Sequence, residues 1–231
     1  MKYIIFLFAV LFFAPTSFAQ EAVGYQSVVD SLYREDQFYL GITYNLLSSK
    51  PAEVSQNSFS SGIHMGVIRD MPINKNRNKA IGVGLGLSFN SYNQNLLISE
   101  SNGVTSFSVL DEDETSYSKN KFYTYIVEMP IQYRWRTSTP TEYSFWRIYT
   151  GFKMGYVFAN GTKYLGDSED IKLTNSDAFT KLQYGLTLSA GYNTWNFYLY
   201  YGLNTMFDNQ TIDSKSLDMS SIKVGLMFYI L

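Results

Sequence analysis

The sequence has no cysteine, a single histidine (His64) and only five prolines, and beyond residue 14 it has no long apolar run. The missing cysteine rules out disulfides and thiolate metal sites, and no cysteine follows the N-terminal apolar segment to carry a lipid anchor. With one histidine, no group of ligands has workable metal spacing, and no cofactor is expected. No stretch of 18 apolar residues follows the leader, so no transmembrane helix is expected there. A net charge of −2 gives no reason to expect a nucleic-acid partner.

The N-terminus reads as a secretory leader. Met1 and Lys2 supply a short positive start, Ile4 to Ala14 an apolar core, and Pro15 a break. Ser17-Phe18-Ala19 then offers small residues where a signal peptidase reads. Residues 1–19 are therefore expected to be a signal peptide, which leaves about 212 residues with net charge −3. Residues 20–37 are a polar lead-in, with Val28, Val29 and Leu32 at near-helical spacing. The rest, 38–231, is rich in aromatics (20 Tyr, 17 Phe, 3 Trp) and glycine (16), a mixture that suits strands.

Eight runs alternate with period two: 38–47, 59–69, 80–90, 122–136, 145–158, 180–192, 195–206 and 221–231. In the third, Ile81, Val83, Leu85, Leu87 and Phe89 share one side, and Gly82, Gly84, Gly86, Ser88 and Asn90 the other. In the fourth, Tyr123, Tyr125, Val127, Met129, Ile131, Tyr133 and Trp135 oppose Thr124, Glu128, Gln132, Arg134 and Arg136. Twelve of the sixteen glycines fall in these runs, all on the small or polar face. Eight strands enclose a lumen barely wide enough for side chains, so small residues belong inside and the apolar face belongs outside. A glycine-rich solvent face would weaken every strand without a compensating gain. The fold expected is all-β: an eight-stranded antiparallel up-and-down transmembrane β-barrel, since only a closed barrel satisfies the backbone of strands in lipid.

Aromatics near the run ends on the apolar face (Phe38, Phe89, Tyr123, Trp135, Trp146, Phe158, Tyr192 and Trp195) are expected to form interfacial girdles. The seven connections run about 11, 10, 31, 8, 21, 2 and 14 residues. Such barrels have short periplasmic turns and longer outer loops, which puts both termini in the periplasm of a Gram-negative cell. The two longest connections, 91–121 and 159–179, contain Asn102-Gly103 and Asn160-Gly161 as turn signals. They also carry acidic clusters at 111–114 and 167–170, read as solvated loops.

Chemistry-bearing patterns are few. His64 should face inward as a packing residue, and no serine in a strained elbow stands out as its nucleophile. The glycines at 82, 84 and 86 form one strand face and not a phosphate loop. The hairpin of runs four and five is expected to close with opposite residue numbers summing to 281, which sets Glu128 across from Lys153 as a lumen ion pair. The same register sets Arg134 against Arg147, with Glu35 or Asp36 as the acid that would separate them. Alternatively Arg134, Arg136 and Arg147 form a basic periplasmic mouth. Pro130, which lacks a ladder donor, is expected to mark a bulge or local kink.

The segment Val127-Glu128-Met129-Pro130-Ile131-Gln132-Tyr133-Arg134 resembles the Glu-hydrophobic-Pro-hydrophobic strand of Bacteroidota outer-membrane β-barrel proteins of the PorT type. Asp30 to Tyr39 also resembles flavobacterial members. The resemblance implies a non-enzymatic accessory of protein secretion (type IX) or envelope assembly, with outer-membrane lipid and other secretion or envelope proteins as partners. A narrow pore or transporter, and a barrel enzyme acting on lipid or peptide, are the competing expectations.

Overall fold

The computed structural model describes residues 34–56, 58–101, 103–111, 115–138, 145–167, 169–212 and 215–230. The expected leader, Val28, Val29 and Leu32 of the lead-in, and Leu231 lie outside them. In chain order the strands are β1 (Gln37–Ser48), β2 (Ser61–Pro72), β3 (Lys79–Asn93), β4 (Leu96–Ser101), β5 (Val104–Val109), β6 (Tyr117–Arg136) and β7 (Trp146–Gly166). β8 (Asp170–Thr174), β9 (Leu182–Tyr192), β10 (Trp195–Gly202), β11 (Thr211–Ile212), β12 (Lys215–Ser216) and β13 (Ser220–Ile230) follow. Eight of them, β1, β2, β3, β6, β7, β9, β10 and β13, pair antiparallel with their chain neighbours. β13 returns to β1, from Phe38↔Ile230 to Ser48↔Ser220, and the barrel is closed. Closure leaves the eight strands no free edge at barrel height, so their backbone ladders run around the wall, interrupted between β3 and β6 beside Pro130.

The two faces differ as the alternation dictates. Outward side chains are apolar and exposed: Leu85 is 60% exposed and Phe197 78%. Inward, Asn45, His64, Asp70 and Asn90 are fully buried. Glycine inside makes room for large partners. The Tyr39 ring lies over Gly66 of the neighbouring β2 and Gly86 of β3, and a Cβ on Gly86 would collide with the Tyr39 hydroxyl.

Outward aromatics gather at two levels. Phe38, Trp135, Trp146, Tyr192 and Trp195 ring the end that holds the short turns, with Trp146 packed 5.4 Å from Tyr192 and Trp195 4.8 Å from Phe228. Phe89, Tyr123 and Phe158 sit at the loop end, where Tyr125 lies 5.0 Å from Phe89 and 6.1 Å from Phe158. From Trp135 to Tyr125 is ten residues along a tilted strand, so the apolar band is about 25 Å tall.

The structure revises several details. The β6–β7 register sums to 283 below its bulge, pairing Glu128 with Gly155, Pro130 with Lys153, Arg134 with Tyr149 and Arg136 with Arg147. The register of that hairpin shifts at Phe158, between the pairs Tyr125↔Ala159 and Ile126↔Val157, and again between Tyr117 and Lys119, but not at Pro130. Pro130 instead interrupts the ladder to β3: pairing lapses opposite Gly84 and Leu85, and the register is unchanged across the gap. Asn160-Gly161 is no turn, because β7 runs on to Gly166. Gly103 does turn the β4–β5 hairpin, at φ 77°, while Asn102 lies outside the described residues. The two-residue β9–β10 turn uses Asn193 at φ 55°, a left-handed conformation asparagine tolerates.

Candidate functional site

At mid-height the lumen holds one carboxylate among several donors. Glu128 projects inward from β6, and Lys153 Nζ reaches its Oε2 at 3.0 Å, diagonally, since the two are not direct Cα partners. His64 Nδ1 lies 3.4 Å from the same oxygen, and the Tyr39 hydroxyl donates to Oε1 at 3.2 Å. Lys153 also sits 5.3 Å and 5.1 Å from the ring centres of Tyr198 and Tyr200, and Lys223 lies 5.0 Å over Tyr200. The rings therefore share the cationic charge that a single carboxylate leaves uncompensated.

Thr43 Oγ1 is 3.1 Å from His64 Nε2, so Thr43, His64 and Glu128 form a hydroxyl–imidazole–carboxylate chain. The hydroxyl donates to Asn45 Oδ1 at 2.8 Å, and all three residues are buried. The cavities on either side of the Glu128–Lys153 pair have volumes of about 10 Å³ each. That is room for about one water apiece and none for a scissile bond. The cluster fills and ties the barrel.

A second cluster closes the turn end. Asp70, at the end of β2, accepts Arg134 at 2.7 Å and both terminal nitrogens of Arg136 at 2.8 Å. The two-nitrogen contact is the planar fork geometry that makes arginine–carboxylate pairs strong. Glu35 lies 3.7 Å from Arg136, and its carbonyl accepts Arg134 at 3.2 Å. Gln37 accepts the other Arg134 nitrogen, and Asp36 accepts the Asp70 backbone N–H at 2.8 Å. Arg147 is held by rings: its guanidinium lies 4.4 Å over Phe145 and within 6 Å of Tyr149 and Tyr229. Burial pushes the Glu35 carboxyl above its ordinary value, although Arg136 and Ser138 pull the other way. Arg134, Arg136 and Arg147, read as a basic mouth, are thus buried, and the first two share the Asp70 carboxylate.

The loop end is closed by apolar packing. Leu96 and Ile98 of β4, Phe179, Met206, Phe207, Ile212, Leu217 and Met219 pack on Tyr92 and Phe122, which rise from the barrel strands. Phe122 lies 4.8 Å from Tyr92, 5.6 Å from Phe179 and 5.5 Å from Phe207. The connections 91–121 and 159–179 supply much of this cap through their apolar residues, while Asp111, Asp167, Glu169 and Asp170 of their acidic clusters stay exposed. Asn160 clamps it, exchanging bonds of 2.9 Å and 3.0 Å with the backbone of Ser176. Outside the cap, a polar cavity of about 480 Å³ opens among Ser58, Asn93, Gln94, Lys119 and Asn120.

Asp70, Thr43 and Lys223 were not singled out from the sequence. Asp70 was legible: the alternation Gly62, His64, Gly66, Ile68 continues onto it and turns its carboxylate inward. The cap had a fainter signal, the apolar residues Leu96, Ile98, Phe107 and Phe179 inside segments otherwise read as loops.

No curated protein matches the chain. Among solved structures, the attachment invasion locus protein Ail of Yersinia pestis aligns at 13% identity over 85% of this chain and 99% of its own, with a TM-score of 0.39. A chain described under the asymmetric conductivity of engineered proteins aligns at 11% identity over 84% of this chain and 99% of its own, with a TM-score of 0.15. Both likenesses are too loose to bear on function. The sequence profile of the outer membrane protein beta-barrel domain matches residues 18–208, most of the chain. With that match, and with a closed eight-stranded barrel apolar outside and polar within, the chain belongs to the outer membrane protein beta-barrel domain family.

Proposed function

We propose that this protein is a non-enzymatic, non-conducting barrel whose working surfaces are its two rims. We further propose that it serves protein secretion as a PorT-like accessory of the type IX pathway in a Bacteroidota cell, or serves envelope assembly there. One observation carries the reading: the lumen is blocked three times over. The Asp70–Arg134–Arg136 cluster fills the turn end, the Glu128–Lys153–His64 cluster the middle, and the apolar cap the loop end. A barrel so filled offers substrates and solutes no path, which leaves its ends for partners. The short turns and chain termini then face the periplasm and the cap faces outward, the usual polarity of such barrels. The resemblance of Val127 to Arg134 to the PorT-type strand supports the secretion role.

The test is a deletion strain complemented with plasmid copies. Type IX cargo should disappear from the medium on deletion and return with the wild-type gene. It should return equally with His64→Gln, which keeps a hydrogen-bonding side chain but removes the imidazole. Unchanged cargo secretion in the deletion strain would contradict the secretion role. Failure of His64→Gln alone, with the barrel folded, would contradict the non-enzymatic reading.

A further inference from the structure

Above the loop-end aromatic level, β6, β7 and β8 continue side by side beyond the barrel wall. On their outward face Lys121, Lys163 and Lys172 are direct cross-strand partners, one from each strand. Lys119 stands one outward position farther along β6. Neighbouring positions across strands bring Cβ atoms to about 5 Å, where like charges destabilise the pairing. None of these four lysines forms an ion pair among the described residues. Asp170, the carboxylate on the same face, stands one row farther out, opposite Leu165. Folding alone therefore gives no return for stacking three ammonium groups here.

Their height accounts for them. The row immediately below is Tyr123, Gly161 and Thr174, with Tyr123 belonging to the upper aromatic level. One outward step along a strand is about 7 Å, so the ladder stands where hydrocarbon gives way to headgroups.

We propose that the Lys121–Lys163–Lys172 ladder is a docking site for the phosphate groups of a membrane-lipid headgroup. Each ammonium presents up to three donors, and adjacent phosphate oxygens bridge neighbouring lysines and relieve their repulsion. The acyl chains of the same lipid lie along the outward apolar residues below, Tyr123, Tyr125 and Phe158. A soluble anion has no use for that adjacency, and a lipid does. The proposed orientation of the barrel enters only in the choice of leaflet: with the cap outward, the ligand is the phosphorylated glycolipid of the outer leaflet.

The full-length barrel is refolded into phosphatidylcholine nanodiscs containing either bisphosphorylated lipid A or the same glycolipid with its phosphates removed. Bound lipid is counted by native mass spectrometry. Wild type should retain the phosphorylated form selectively. The triple variant Lys121→Gln/Lys163→Gln/Lys172→Gln should bind it about a hundredfold more weakly, since each lysine near an anionic surface contributes about fivefold. The corresponding triple Arg variant should keep the selectivity, and Lys181→Gln, a lysine off the ladder, should leave it unchanged. Equal retention of both lipids, or no loss in the triple Gln variant, would overturn the proposal. Displacement of the lipid by millimolar inorganic phosphate would reassign the site to a free anion and overturn it equally. The orientation is read separately, by labelling Asn193→Cys and Ser106→Cys barrels in intact cells, so a failure of either reading is visible by itself.

Discussion

Glu128 and Lys153 sit where the cavities on either side hold about one water each, so a charge left alone there cannot be rehydrated. Glu128→Gln or Lys153→Met alone should lower stability by about 3–5 kcal/mol, the usual cost of breaking a buried pair from one side. The double variant should recover much of that loss, because it leaves no orphaned charge between those two positions. Urea unfolding of barrels inserted in lipid vesicles reads both effects, and strictly additive losses would show that the pair is not coupled. At the turn end Asp70→Asn should cost more than Asp36→Asn, because the Asp70 carboxylate accepts from both arginines whereas Asp36 accepts a backbone N–H. Glu35 adds a pH dependence. Its carboxyl is raised in the folded chain, so the folded chain keeps a proton that the unfolded chain releases near 4.5. Stability from this group is therefore lost as pH rises from about 4.5 through the folded value. Glu35→Gln should flatten that fall as pH rises above about 4.5, and an unchanged slope would contradict the assignment. Glu128 and Lys153 were legible as inward charges of one hairpin. Their geometry was not, because a register two residues away keeps every side chain on the same face and only the long lysine stem bridges the offset.

Among elements, the membrane-height portions of the strands were legible and their outer ends were not. Between the aromatic levels one face must meet lipid and the other a crowded lumen, so the period-two contrast is maximal. Past Tyr123 and Phe158 neither constraint holds. β6 and β7 therefore extend through Lys119, Lys121, Thr162 and Lys163 with no contrast to mark them, and the Phe158 bulge switches the β7 parity on the way. β10 shows the opposite case: the sequence alternation runs on to Met206, but the strand stops at Gly202, and Met206 and Phe207 turn into the cap. The cap and barrel should be separable in stability. Phe179→Ser with Phe207→Ser removes two rings from the cap and touches no strand pairing in the wall. The variant should still migrate as a folded, heat-modifiable barrel, while loop-end sites become protease-sensitive. Loss of heat-modifiability would mean that the cap is needed for the wall to close.

The whole molecule combines an outer surface made for lipid with an interior that buries arginine, lysine, aspartate and glutamate together. Charge inside a membrane-spanning wall is tolerable only when paired or held against rings, and both devices occur here, at Asp70 and at Tyr198 and Tyr200. The most direct test of a sealed barrel is planar-bilayer recording of the purified full-length protein, with insertion confirmed independently and a porin recorded in parallel. Wild type should give a flat baseline with no discrete conductance steps. Reproducible steps from the folded wild-type barrel would contradict the sealed lumen and return the pore reading to first place.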